Sequence, residues 1–432
     1  MFVSNNLAVN EKGHLTFGGL DTVDLAVQYG TPLYLIDEDM VRDHCRQYKQ
    51  SIEEYYDGKG LVCYASKALS CKEIYRIMKS EGCGVDTVSI GEIYTALSAG
   101  FPARDMVFHG NNKTEEALSF ALEHGVGRIV VDNLTELKKL NRLAGEAGKK
   151  PTILLRVKPG VDAHTHSFIR TGQIDSKFGF AIETGEALEA AVEAAKMEHI
   201  NLVGAHCHIG SQIFDIDPFK LAAEVMLGYM KDVHEKTGVV LTELNLGGGF
   251  GIKYTEEDAP VPYADYMKQI SDVVKQKAAE YGLPVPFILI EPGRSIVGPA
   301  GITVYTVGAR KEIPNIRNYV SVDGGMCDNP RYALYQSKYD AVLANKADQP
   351  KDDVVTIAGE CCESGDLLGE NVPLQHAESG DILAVLATGA YNYSMSSNYN
   401  RNMKPAIVAV SQGESRVIVK RETLDDLIRN DI

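Results

Sequence analysis

Apolar positions along the chain follow two rhythms, and the change falls near residue 300. Up to that point short apolar runs alternate with amphipathic stretches. Strand-like runs occur at Leu61 to Tyr64, Val85 to Val88, Met106 to Phe108, Ile129 to Val131, Ile153 to Val157, Leu202 to Ala205, Leu244 to Leu246 and Phe287 to Ile290. Between most of them apolar residues return at helical spacing, over Ile90 to Ala99, Glu115 to Glu123, Leu134 to Ala147, Glu186 to Met197, Phe219 to Glu235 and Tyr263 to Tyr281. Eight strands alternating with helices predict a parallel (β/α)8 TIM barrel, with its chemistry at the C-terminal ends of the strands. An open doubly wound sheet is the competing layout, but eight units over this length fit closure better.

Beyond Arg294 the apolar segments are short, β-branched and set apart by Gly, Pro and Asp turns: Ile302 to Val307, Tyr319 to Val322, Val354 to Ala358, Ile382 to Leu386, Ile407 to Val410 and Arg416 to Lys420. They predict an all-β domain. Near the N-terminus Leu15 to Phe17 and Pro32 to Leu35 read as extended and Glu38 to Tyr55 as a helix, and these early strands are expected to join the C-terminal sheet. The expected division is a (β/α)8 barrel over residues 35–300 and a β-sandwich or β-barrel domain made of residues 1–34 and 301–432. The barrel would then interrupt a discontinuous β-domain.

Composition narrows the ligand. With 432 residues, 44% hydrophobic and 24% charged, the chain has the balance of a soluble two-domain protein. A net charge of -16 disfavours nucleic acid and anionic membrane, so an anionic ligand has to be held by a local pocket, and a small molecule is expected. The N-terminal stretch lacks a basic segment followed by an apolar core, no apolar run approaches membrane-spanning length, and a cytoplasmic location is expected. Eight cysteines without CxxC pairs suit a reducing compartment better than a zinc ribbon or a disulfide framework.

Candidate chemistry sits where the barrel runs end. The first closes on Tyr64-Ala65-Ser66-Lys67-Ala68. Alone, Lys67 reads as a solvated strand-end lysine. On the functional rim of a barrel it is expected to be desolvated, an amine able to join a carbonyl carbon such as that of pyridoxal phosphate. The seventh run ends in Gly247-Gly248-Gly249, which either forms a flexible turn or lets backbone amides approach a phosphate. The eighth ends in Glu291-Pro292-Gly293-Arg294. Glu291 and Arg294 could be a plain ion pair; beside a pyridine cofactor, Glu291 would keep the ring nitrogen protonated. The amides of Gly293 and Arg294 would then extend the phosphate site, leaving the arginine fork for a substrate carboxylate.

After the sixth run comes His206-Cys207-His208-Ile209-Gly210-Ser211-Gln212, where alternation points both histidines to one side. Metal is not expected, because no matched set of further His and Asp ligands is seen at the strand ends. An imidazole stacked on a cofactor ring, with Ser211 donating to phosphate, fits better. His164 and His166 read as solvated loop residues. In the β-domain, Cys361-Cys362-Glu363-Ser364-Gly365-Asp366 offers either a proton-donating thiol or a buried small hydrophobe. Asp323 to Met326, Arg331, Tyr335 and Gly389 to Asn392 are polar turn clusters with no role readable from the residues alone.

Taken together, the motifs from Tyr64 to Ala68, His206 to Gln212, Gly247 to Gly249, Glu291 to Arg294, Cys362 to Asp366 and Gly389 to Tyr391 resemble, in order and over almost the whole chain, the fold type III pyridoxal phosphate decarboxylases. The resemblance implies Lys67 as the Schiff-base lysine, His208 behind the cofactor ring and Glu291 at its nitrogen. It also implies Ser211, Gly247, Gly248, Gly249, Gly293, Arg294 and Tyr391 around the phosphate. Cys362 would be the proton donor, supplied by the partner of a homodimer with shared active sites. Arg294, Asp323 to Met326, Asn329 to Arg331, Tyr335 and Glu363 resemble the diaminopimelate type of the family. There Arg294, Arg331, Tyr335 and Tyr391 would meet substrate, the arginines and Tyr335 at a distal carboxylate, and Glu363 would meet the distal ammonium.

The implied activity is decarboxylation of meso-2,6-diaminopimelate at its D-centre to L-lysine and CO2. Alternatives are a decarboxylase of D-lysine, ornithine or arginine, an amino-acid racemase and a non-catalytic homologue. Alanine racemases of this type carry an arginine at the ring nitrogen where this chain has Glu291, and retention of Lys67 argues against a non-catalytic role.

Overall fold

A computed structural model describes residues 2–161 and 175–432; His164 and His166 lie outside them. The chain divides into two compact units. One comprises His44–Gly251 and Pro260–Gly293, the other Met1–Asp43, Ile252–Ala259 and Arg294–Ile432. The strand Leu33–Asp37 belongs to the second unit because it pairs with Gly301–Ile313 on one side and Ala406–Ser411 on the other. Contact therefore moves the boundary from residues 35 and 300 to Asp43 and Arg294, and hands Ile252–Ala259 to the β-rich unit.

The first unit is the barrel. Strands Gly60–Ala65, Gly84–Thr87, Met106–Phe108, Arg128–Val131, Thr152–Lys158, Asn201–His206, Glu243–Asn245 and Phe287–Ile290 run parallel, and the last pairs with the first. Their interior is filled by Cys63, Val107, Val130, Leu154 and Leu289, a dry plug that keeps the strand ends in fixed register. Three of the loops leaving those ends are pinned by helix caps: Ser89, Thr114 and Asn133 accept the amides of Glu92, Ala117 and Glu136. A cap of this kind contributes about 1 kcal/mol and fixes where the helix begins. A two-residue strand, Phe180–Ala181, adds to Thr152–Lys158 and was not expected from the pattern.

In the second unit the long strand Gly301–Ile313 organises the sheet. Its first half lies between Leu33–Asp37 and Ile382–Val385, and its second half turns to Arg317–Val322, with the register slipping between Val307 and Ala309. Asp353–Ala358 and Leu367–Leu374 extend one edge, Ala406–Ser411 and Glu414–Val419 the other. The expected participation of N-terminal residues is met by Leu33–Asp37. A helix at Thr22–Tyr29, capped by Asp21, stands between the two N-terminal extended runs and was not expected from the pattern. Among the described residues no helix is long and apolar enough to cross a membrane.

Candidate active site

On the barrel unit the first strand runs into a short 3₁₀ turn, Ser66–Ala68, with Ser66 and Ala68 buried and Lys67 exposed. The expectation that Lys67 is desolvated is not met in the chain by itself: a turn of small residues projects it outward. The turn is held to the eighth-strand loop by the hydrogen bond from Ala65 N to Pro292 O, 3.1 Å. A Cβ on Gly293 would stand 2.9 Å from the Ala65 Cβ, so Gly293 serves this close approach.

Glu291 is the centre of the rim. Its Oε1 lies 2.6 Å from His109 Nε2 and accepts from Asn245 Nδ2 at 2.6 Å, and its Oε2 lies 3.2 Å from His206 Nε2. Burial alone would raise its carboxyl; His109 and His206 outweigh this and hold it well below the usual carboxylate range. Burial also pushes His206 down to about 3, so it is a neutral imidazole donating to the carboxylate. Asp86, 3.8 Å from His109, is pushed up by burial.

His109, His206 and Glu291 bring three donor atoms within 4.8 Å of one another, so the expectation that no further ligand-type residue gathers at the strand ends is corrected. His109 follows the third strand directly, a position whose chemistry was readable but passed over.

His206 and His208 have separate duties. The His208 ring is half-buried and its Nδ1 takes the amide of Gly248 at 3.3 Å, which puts the ring proton on Nε2. Burial first, then the Lys67 and Arg156 charges, keep His208 well below the usual imidazole range. Asn245 ties both parts together, because its Oδ1 takes the Gly247 amide at 2.9 Å while its Nδ2 serves Glu291.

The glycine run is demanded by its neighbours before any ligand arrives. A Cβ on Gly248 would lie 2.1 Å from Glu291 O, and one on Gly249, at φ +111, 2.4 Å from Gly210 O. The loop bearing Ser211 is zipped to it through Ile213 N to Gly249 O and Gly251 N to Ile213 O, at 2.9 and 3.0 Å. Half-buried Ser211 thus stands beside the run. A rim lysine, a carboxylate kept ionised, a neutral imidazole and a side-chain-free loop beside a serine suit the aldehyde, ring nitrogen, ring face and phosphate of pyridoxal phosphate.

The remaining candidates lie on the β-rich unit. Arg294 is buried, and its Nη1 donates to Tyr254 OH at 2.5 Å, so its fork is not left free as expected. Its guanidinium carbon is 4.8 Å from the Tyr391 ring centre, and that of Arg331 is 5.6 Å from the same ring and 5.2 Å from Tyr335. Tyr391 adopts φ 64, a left-handed conformation uncommon for a tyrosine. Tyr254 and Tyr339, which pack edge to face at 5.0 Å, were not anticipated.

On a separate turn, Cys362 and Glu363 are exposed while Cys361 is buried. Asp366 clamps that turn by accepting from Cys361 N at 2.7 Å and Met326 N at 2.6 Å. Cys361 is thereby the small buried hydrophobe and Cys362 the presented thiol. The carboxylate of Glu363 accepts from Gly365 N at 3.2 Å.

Residues 38–298 match the family described as pyridoxal-dependent decarboxylase, pyridoxal binding domain. The diaminopimelate decarboxylase of Bacillus methanolicus is 51% identical over 422 residues, 98% of each chain. That of Bacillus subtilis (strain 168) is 49% identical over 432 residues, covering 100% of this chain and 98% of its own. Among solved structures, diaminopimelate decarboxylase from M. jannaschii in complex with L-lysine has a TM-score of 0.91 at 35% identity, over 100% of this chain and 99% of that one.

Proposed function

The chain belongs to the diaminopimelate decarboxylase family of pyridoxal-dependent decarboxylases, and from that membership we propose that it removes the carboxylate at the D-centre of meso-2,6-diaminopimelate, releasing CO2 and L-lysine. Pyridoxal phosphate, when bound, supplies a protonated ring that accepts the electron pair left by the departing carboxylate. The observation that carries the reading is Glu291, a buried carboxylate kept ionised under His109, His206 and Asn245. Only such a charge keeps a pyridine nitrogen protonated at neutral pH; a neutral or cationic partner would weaken the electron sink.

The chain's own residues divide the work. Lys67 is the residue whose amine would hold the cofactor through its carbonyl carbon. His208 would cover the ring face, and the Ser211 loop with Gly247 to Gly249 and Gly293 would hold the phosphate, a role in which Arg294 and Tyr391 would share. Arg294, Arg331 and Tyr335 take the distal carboxylate, with Tyr391 beside them, and Glu363 takes the distal ammonium. Cys362 returns a proton to the carbon that lost CO2. In this reading the enzyme is a cytoplasmic homodimer and Cys362 comes from the partner subunit. Mixed dimers of Lys67→Ala and Cys362→Ala chains, formed by random pairing, should then regain about a quarter of wild-type activity.

Purified protein reduced with borohydride and mapped by mass spectrometry should carry the cofactor on Lys67. In the same preparation, turnover of meso-diaminopimelate should exceed that of ornithine, arginine and D-lysine. Cofactor on another lysine would overturn the Lys67 assignment; preference for one of the other amino acids would overturn the substrate.

A further inference from the structure

We infer that Asn400 is a positioning residue for Cys362, and this rests on the reading of Cys362 as the proton donor. The Asp366 clamp reaches Cys361 and stops there, leaving Cys362 on the exposed crest of its turn. What holds the crest is the side chain of Asn400, whose Oδ1 accepts the Cys362 amide at 2.7 Å. A single charge-free hydrogen bond contributes little to stability. Its value here is directional, because it sets the plane of the peptide from which the thiol projects.

Asn400 is delivered by backbone that would not persist without support. Asn400 and Arg401 both have left-handed dihedrals, φ 53 and φ 60. Asparagine tolerates that region, whereas arginine is strained in it. The conformation is fixed from outside. Arg401 Nη1 donates to Leu427 O at 2.6 Å and its Nη2 pairs with Asp431 at 3.0 Å, so the C-terminal segment holds the strained residue. On the near side Asn398 Nδ2 bridges Asn402 O and Glu422 Oε2, at 3.0 and 2.6 Å. Two successive left-handed residues, the second of them strained and braced by ties to the C-terminal segment, present one amide oxygen to the residue before a presented acid. That is the pattern of strain retained for a functional placement.

Three variants of the intact holoenzyme separate this role from folding and from the donor reading. Asn400→Gly keeps left-handed backbone accessible and removes the acceptor. It should lower kcat on the order of tenfold or more, the scale of a small misplacement of a reacting group, with KM and thermal midpoint unchanged. Alkylation of Cys362 by iodoacetamide, followed by peptide mass, should become several-fold faster as the crest is released. Asn400→Asp restores an acceptor oxygen and should recover most of kcat. Cys362→Ala is the reference: if it is inactive while Asn400→Gly keeps wild-type kcat and alkylation rate, the positioning role is wrong. If Cys362→Ala is fully active the donor reading fails instead, and an unchanged alkylation rate in Asn400→Gly would then overturn the anchor itself.

Discussion

The two units give charge different partners. On the barrel rim one carboxylate, Glu291, is surrounded by donors, and the flanking His206 is neutral. On the β-rich unit two cations, Arg294 and Arg331, stand over the Tyr391 ring, at 4.8 and 5.6 Å. Arg331 donates from Nη2 to Ser337 Oγ at 3.3 Å, and its Nε is buried without a hydrogen-bond partner among the described residues. Aromatic faces offset a guanidinium by about 0.5 to 2 kcal/mol, much less than a carboxylate would when desolvated. The first arrangement fixes a protonation state. The second is short of negative charge, which is the chemistry of a receptor for a substrate carboxylate.

The largest test breaks the closed side. Glu291→Gln keeps the shape and one acceptor oxygen, exchanges the other for an NH2 donor, and carries no charge. If the carboxylate serves as the counter-charge of the electron sink, kcat should fall on the order of 10²- to 10³-fold, comparable with removing a preorganised electrostatic group. Cofactor content, read from visible absorbance, should remain. A Glu291→Gln enzyme within about threefold of wild type would mean that the histidines alone set the site, contrary to the expected electrostatic loss.

How much of this contrast could be read from residue order depends on what each side is made of. Barrel strands buried on both faces appear as unbroken apolar runs, so Met106–Phe108 and Phe287–Ile290 fall where the pattern puts them. Residues such as Glu291 and Lys67 stand out because a charge ends an apolar run. His109 and Asn245 carry the same mark, at the ends of the third and seventh strands, and could have been found by it.

The β-rich unit hides more. Leu367–Leu374 contains Gly369, Glu370 and Pro373, each a poor strand signal, and Asn371 at φ 54 bends it. The helix Thr22–Tyr29 is only eight residues long and follows directly on an extended pair. No local signal could join Cys362 to Asn400, since that bond spans a separation of 38 residues created only by the fold.

A second test addresses the open side. Arg331→Ala should cut the preference for meso-diaminopimelate over ornithine by about 10- to 100-fold, the 1 to 3 kcal/mol typical of one lost polar recognition element. Cofactor binding should hold, because the Glu291, His208 and Gly247 network does not include Arg331. Arg331→Lys should recover charge without the planar fork and fall between. Unchanged discrimination in Arg331→Ala would remove the distal-carboxylate assignment and leave the tyrosine-stacked arginines as packing.

The smallest effect sharpens the contrast through pH. Buried Asp328, on the β-rich unit, accepts from Tyr305 OH at 2.5 Å and Gly325 N at 2.9 Å. Burial raises its carboxyl from 3.8 to about 6. The folded chain therefore binds this proton more tightly than the unfolded one, so Asp328 adds stability below pH 3.8 that is lost as pH rises through about 6. From pH 7 to pH 5 the gain is about 1 kcal/mol. His206 has the opposite sign. Its folded value near 3 lies below 6.5, so acid protonates the unfolded chain first and the barrel loses about 2 kcal/mol over the same interval. Glu92, raised by burial to about 7, opposes His206 within the barrel, so wild-type stability alone does not separate these contributions. Differences between variant and wild type do. Urea unfolding at pH 7 and pH 5 should show Asp328→Asn losing the acid-side gain and His206→Gln losing the acid-side penalty. If the Asp328→Asn difference is the same at both pH values, Asp328 ionises normally in the folded chain, and its burial stores no proton-linked stability.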